Sequence, residues 1–242
     1  MHINILTIFP EVFDALNYGV IGKAKTNKSF SIKLQDIRDY PVNKHGQIDS
    51  KPYGGGEGMV MMAEPLKKSL NNIPKEKLGK VIYLSPQGAL FNNTKAKKLS
   101  KEPSVTFICG RYEGIDQRFI DKYVDEEISI GDFIISGGEI AALCIVDSVI
   151  RHIPGVLGNK DSSKNDSFSN GLLKGPQYSR PEVFEEIPVP EVLLSGDHKK
   201  IKEWKDLKSI EATIIRRPDL LNNVKLTKKQ RKLLEDLASQ SI

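Results

Sequence analysis

Two cysteines, Cys109 and Cys144, are all that 242 residues contain, and no CxxC pair occurs. That removes a disulfide framework and leaves two reduced thiols, each inside an apolar run where a core position is expected, as in a cytoplasmic protein. Metal-centred hydrolysis has no support either: His2, His45, His152 and His198 are scattered, and HExxH is absent. No GxSxG elbow marks a serine nucleophile. No GxGxxG follows a strand and no GxxxxGK[ST] occurs, which excludes a dinucleotide Rossmann site and a phosphate loop. No apolar run approaches the roughly 20 residues that span a bilayer. The opening Met1-His2-Ile3-Asn4-Ile5-Leu6 lacks a basic region and a cleavage site, so no secretion signal is expected.

What is present is ordinary in bulk and uneven in distribution. Hydrophobic residues make up 39% and charged residues 28%, enough for a core in one large domain or two small ones. The net charge of +5 is not spread along the chain. Residues 1–194 hold 24 basic and 24 acidic side chains, whereas 195–242 hold 12 basic against 7 acidic. A basic C-terminal module fits a polyanion such as nucleic acid, and equally a solvated lysine-rich surface.

Along the chain, 2–9 reads as a first strand, with Pro10-Glu11 opening a short helix. A second strand is expected at 30–35. Residues 38–58 show little periodicity and form a long loop, which in a compact domain is usually functional or disordered. A helix is expected over 58–72, with Met61, Met62, Leu66 and Leu70 toward a core. A strand at 80–84 leaves through the polar turn Ser85-Pro86-Gln87-Gly88, and 93–101 forms a basic amphipathic helix. The helix expected over 138–153 is apolar on nearly all sides, which suits burial in a core or against another subunit. This alternation indicates an α/β domain with a parallel sheet.

Residues 159–170 are a polar linker, 176–190 favour extended chain, and Asp197 is placed to cap a basic helix through 207. A last helix is expected at 228–239, opened by capping-box spacing at Thr227.

The organising stretch is 105–139. A buried strand, 105–109, ends in the turn Gly110-Arg111-Tyr112-Glu113-Gly114-Ile115-Asp116. A second apolar run, 128–135, is interrupted by Gly131-Asp132 and ends at Ser136-Gly137-Gly138-Glu139. Either glycine cluster alone could be an ordinary tight turn. Two polar, glycine-rich strand exits this close together favour a ligand cradle at the carboxyl edge of the sheet, joined there by the turn after Leu84.

The strings ICGRYEGID and SIGDFIISGGE within this stretch closely resemble the bacterial tRNA (guanine-N1)-methyltransferases, a branch of the SPOUT class. IFPEVF, PYGGGEGMVM, VIYLSPQG, RHIPGVLG, DSFSNGLL, YSRP and LLSGDH match in the same order, so the resemblance covers nearly the whole chain. It implies a SPOUT domain with a deep trefoil knot at 1–158, a flexible linker at 159–175 and a small helical tRNA-binding domain at 176–242. The implied reaction is methyl transfer from S-adenosyl-L-methionine to N1 of the guanosine 3′-adjacent to a tRNA anticodon, in a cytoplasmic homodimer whose active site is shared between subunits. Turns that offer backbone N–H and C=O groups between apolar walls suit a neutral adenine and a sulfonium better than a triphosphate.

Carried over residue by residue, the resemblance implies a cofactor site of Tyr83, Leu84, Ser85, Pro86, Gly110, Tyr112, Glu113, Ile130, Gly131, Asp132, Phe133, Ile134, Ile135, Gly137 and Gly138. At Gly137 and Gly138 an added side chain is expected to collide with the cofactor. Asp166 matches the family's general base and Arg151 its arginine. Glu113 is the rival base, with the cofactor's positive methionine end or a magnesium ion as its other expected partners. One position departs: family members commonly carry an aspartate between GLL and YTRP, where this chain has Lys174. The competing readings are a SPOUT enzyme acting on another RNA and a non-catalytic RNA-binding assembly factor.

Overall fold

The β-branched runs of the N-terminal part become the strands of one parallel sheet. In the computed structural model, which describes residues 1–157, 166–224 and 230–231, these strands are β1 (His2–Thr7), β2 (Ser31–Asp36), β5 (Lys80–Leu90), β6 (Ser104–Cys109) and β7 (Glu126–Ser129). Their order is β2-β1-β6-β5-β7, and every neighbouring pair is parallel. Two short strands between β2 and β5, namely β3 (Asp49–Ser50) and β4 (Val60–Met61), form a separate antiparallel pair.

Helices cover both faces, as an all-parallel sheet requires. On one face Ile5, Phe107, Ile82 and Ile128 meet α6 (Gly138–Ile150) through Ala142, Ile145, Val146 and Val149. Phe13 and Leu16 of a 3-10 turn (Pro10–Asn17), Ala24 of α1 (Gly19–Thr26), and Ala96 and Leu99 of α4 (Asn93–Leu99) complete that layer. On the other face Leu6, Val81, Tyr83 and Ile108 pack with Leu66 and Leu70 of α2 (Ala63–Asn71) and Phe119 of α5 (Gln117–Tyr123). Between α2 and β5 a single helical turn, α3 (Lys75–Leu78), lends its Leu78 and Lys77 carbonyls to Thr106 Oγ1 and Asn4 Nδ2, which keeps these buried polar groups paired.

Several local expectations give way to tertiary contacts. The helix expected from 58 starts at Ala63, because Gly58 takes φ +78° and Met59 and Met61 spend their backbone groups on the 110–116 turn. Glu113 N–H donates to Met59 O, Met61 N–H to Gly114 O and Asp116 N–H to Met61 O, at 2.9–3.0 Å. The strand expected to stop at 84 runs to Leu90, with its register shifted between Leu84 and Ala89, so the polar turn is an irregularity inside one strand. The run 128–135 is strand only to Ser129; Phe133 and Ile134 beyond it are 55% and 85% exposed. Cys109 is buried as expected, but Cys144 is exposed on α6, beside Ile140 at 47%. That helix ends at Ile150, and it is therefore not buried all round in a single chain.

The chain divides into two compact units, Met1–Gly158 and Asn159–Ile242. The second contains a short hairpin, β8 (Val183–Phe184) and β9 (Ile187–Pro188), then α7 (Glu191–Leu194) and α8 (His198–Arg216). Asp197 caps α8 by accepting from the backbone N–H of Lys199 and Lys200, and the helix runs nine residues past the expected end at 207. The helix expected at 228–239 lies outside the described residues apart from Gln230 and Arg231. No helix among the described residues is long and apolar enough to cross a membrane.

Candidate active site

At the carboxyl edge of the sheet the exits of β5, β6 and β7 enclose a cavity of about 470 Å³, a volume suited to one small molecule. From β5 come Tyr83, Leu84, Ser85, Pro86 and Gln87; from the turn after β6, Gly110 to Ile115; from the segment after β7, Ile130, Gly131, Phe133 and on to Gly138. Each rim is fixed by short-range bonds. Ser85 Oγ accepts from Gln87 N–H at 3.1 Å, and Ser129 Oγ accepts from Gly131 N–H at 3.2 Å. The second and third exits are tied directly, by Gly138 N–H donating to Gly110 O at 2.9 Å.

Every residue expected in the cofactor site lines this cavity except Asp132, which is exposed and outside it. At two of these glycines the protein's own atoms already leave no room for a side chain. A Cβ on Gly138 would stand 2.7 Å from Cys109 Cα, and one on Gly137 would stand 2.2 Å from Arg111 Nε. The space denied to a side chain at these positions is filled by the protein's own atoms.

The cavity's electrostatics are unusual for a nucleotide site. No lysine lines it, and its acids are Glu113 and Glu127. Its one arginine, Arg111, is already paired: Nε donates to Glu139 Oε2 at 2.8 Å and Nη1 to Ser136 O at 3.0 Å. Glu139 is 1% exposed and accepts a second bond, from Thr7 Oγ1 at 2.8 Å. Burial pushes the Tyr83 hydroxyl up to about 12, with Glu127 adding to the shift, so it stays a neutral donor. Burial likewise pushes the Cys109 thiol well up, reinforced by Glu139, which leaves it inert as a nucleophile.

Arg111 and Glu139 were not legible as site residues. The available signal was one carboxylate, Glu139, opening a helix whose other buried residues are all apolar. Such a group needs a buried cation, and an arginine in an adjoining glycine turn can supply it.

The remaining candidates lie elsewhere. Arg151 is the C-cap of α6, at the opposite end of that helix from the cavity residue Gly138. Asp166 belongs to the second unit, in a turn closed by Ser169 N–H donating to Asp166 O at 3.2 Å. There it lines a separate cavity of about 530 Å³ together with Lys174, His198, Lys202, Lys205 and Asp206. Two bonds fasten that wall to α8: Leu173 N–H donates to Thr213 Oγ1 at 2.9 Å, and Ser209 Oγ donates to Leu173 O at 2.5 Å.

Comparison with known proteins agrees with this architecture. Residues 1–223 match the family described as tRNA (Guanine-1)-methyltransferase TrmD. A protein of Clostridium novyi (strain NT) named tRNA (guanine-N(1)-)-methyltransferase is 51% identical over 235 residues, covering 97% of each chain. Proteins of the same name from Clostridium botulinum (strain Loch Maree / Type A3) and Clostridium beijerinckii are 49% and 48% identical over 236 residues, covering 98% of each chain.

Proposed function

This chain belongs to the tRNA (guanine-1)-methyltransferase family, and from that premise we propose how its parts divide the reaction. It transfers a methyl group to N1 of a guanine in tRNA. S-adenosyl-L-methionine, when bound, supplies an electrophilic methyl group on a sulfonium. The target is the guanosine 3′-adjacent to the anticodon.

The observation that carries the reading is the cavity at the sheet's carboxyl edge. Its backbone-lined turns and the apolar Leu84, Ile128 and Ile130 suit a neutral purine, and Glu113 and Glu127 suit a positively charged sulfonium and ammonium. The absence of lysine from its lining argues against a phosphate ligand. Ser85, Gly110, Ile130 and Gly138 would hold the cofactor, mostly through backbone groups.

Guanine N1 carries a proton and attacks well only as that proton leaves. Asp166 accepts it as general base, and Arg151 stabilises the negative charge that builds on O6. By the helical rise, the 13 residues of α6 set Arg151 about 20 Å from the Gly138 end. Arg151 therefore serves a cavity only across a subunit boundary, in a homodimer built on α6. The exposed Ile140, Ile134 and Phe133 favour such an interface. In this scheme the segment after β7 and α6 complete a trefoil knot, and the enzyme works in the cytoplasm.

Calorimetry with S-adenosylmethionine in the absence of RNA tests the assignment of the cavity. One cofactor per chain is expected, weakened by Glu113→Gln. No heat of binding, or binding only when tRNA is present, would contradict it.

A further inference from the structure

Phe9, Arg38 and Arg111 each stand two residues beyond the end of a strand, for β1 ends at Thr7, β2 at Asp36 and β6 at Cys109. Because β1 lies between β2 and β6, its phenyl ring is reached by an arginine from each neighbouring strand. Arg38 Cζ is 4.7 Å and Arg111 Cζ 4.5 Å from the Phe9 ring centroid. The two positive heads are thus held within about 9 Å of each other.

One of these charges is answered and the other is not. Arg111 is neutralised by buried Glu139. Arg38 is exposed, and its backbone N–H donates to Asp36 Oδ1 at 2.8 Å. Among the described residues its guanidinium has no hydrogen-bond or ion-pair partner, only the Phe9 ring. An arginine seated over an aromatic face keeps its planar fork of N–H donors available, and that fork matches phosphate. Contact with the ring also offsets part of the rotamer freedom that ligand binding would otherwise have to restrict. Arg38 lies at the same carboxyl edge as the cavity but is not part of its lining, so an anion bound by it would lie outside the cavity.

We propose that Arg38, pre-positioned by Phe9, is a contact for a backbone phosphate of the RNA substrate at the rim of the cavity. This rests on the reading of the chain as a tRNA methyltransferase. It gives the N-terminal unit a part in holding RNA that the charge distribution assigned to the C-terminal residues alone. The charge-assisted pair would be of the bidentate guanidinium–phosphate kind.

The test is equilibrium binding of unmodified tRNA to the full chain across a series of salt concentrations, for wild type, Arg38→Gln and Arg38→Lys. Losing one phosphate contact should reduce the slope of log K against log salt by about 0.7–0.9, with several-fold weaker binding at low salt. Arg38→Lys should keep the slope and lose part of the affinity, since it retains charge without the stacked fork. Cofactor affinity and melting temperature should stay at wild-type values in both variants. An unchanged slope and affinity in Arg38→Gln would overturn the proposal. So would a loss of cofactor affinity with an intact slope, which would hand the arginine to the methionine carboxylate. Failure of the wild type itself to bind tRNA would instead remove the substrate reading on which the proposal stands.

Discussion

Glu139 Oε2 accepts a 2.8 Å hydrogen bond from Arg111 Nε, from the first turn of a helix whose other buried residues are all apolar. The pair fixes the third exit of the cavity, because Arg111 also donates to Ser136 O. Removing one member of a buried pair leaves the other without compensation and costs about 3–5 kcal/mol. Glu139→Ala should therefore lower unfolding free energy by that amount in urea titrations. Glu139→Gln should cost less, since its amide oxygen still accepts from Arg111. A loss below about 1 kcal/mol in Glu139→Ala would mean that Arg111 finds another partner.

Gly138 gives a separate test of close packing. An added methyl there meets Cys109 Cα at 2.7 Å and Gly110 N at 3.1 Å, both backbone atoms that cannot swing aside. Overpacking of this kind costs about 1–3 kcal/mol, against a helix-propensity gain of about 1 kcal/mol at most. Gly138→Ala should melt several degrees lower than wild type even with no cofactor present. A raised melting temperature would show that β6 and α6 move apart freely.

The two thiols should differ in reactivity. Cys109 is fully buried, with its thiol pushed up by burial, so it should react with a thiol reagent only on unfolding. Cys144 is exposed on α6 and should react in dilute protein. If α6 forms the proposed dimer interface, Cys144 should become protected as concentration rises through the dimer range. Equal reactivity at all concentrations would put the interface elsewhere.

Glu126 supplies a pH test. Burial opposes its ionisation, but hydrogen bonds from Lys95 and Lys80 outweigh that and hold its carboxyl below the usual range. A depressed carboxyl contributes stability above its unfolded value of about 4.3 and loses it as pH falls through the folded value. Glu126→Gln should cost about 1 kcal/mol at pH 7, with the difference closing in the acid range below about pH 4. Denaturant titrations at both pH values check this. An offset that does not change with pH would assign the effect to packing.

The parallel sheet was legible because its strands are short β-branched runs separated by helical periodicity. The cavity was legible as polar, glycine-rich strand exits. Contacts that depend on strand order were not. Nothing in sequence spacing places Arg38 and Arg111 on one ring, since that follows from β1 lying between β2 and β6. The early start expected for α2 failed because Met59 and Met61 bond across to the 110–116 turn, a choice made by tertiary structure over local propensity. The run 130–135 reads as strand by composition, yet its apolar side chains line a cavity and face outward. Burial within one chain could not have selected them. Cys144 misleads for the same reason, as an apolar helix face left open in the single chain.

Single-turnover methyl transfer to an unmodified tRNA transcript, followed by mapping of the methylated base, tests the central claim most directly. Wild type should place one methyl on N1 of the guanosine 3′-adjacent to the anticodon. Asp166→Ala should retain cofactor and tRNA binding while losing at least about 100-fold in rate, the scale of a lost general base. A methyl group on another nucleotide would contradict the substrate assignment. Near-normal transfer by Asp166→Ala together with an inactive Glu113→Ala would give the base role to Glu113.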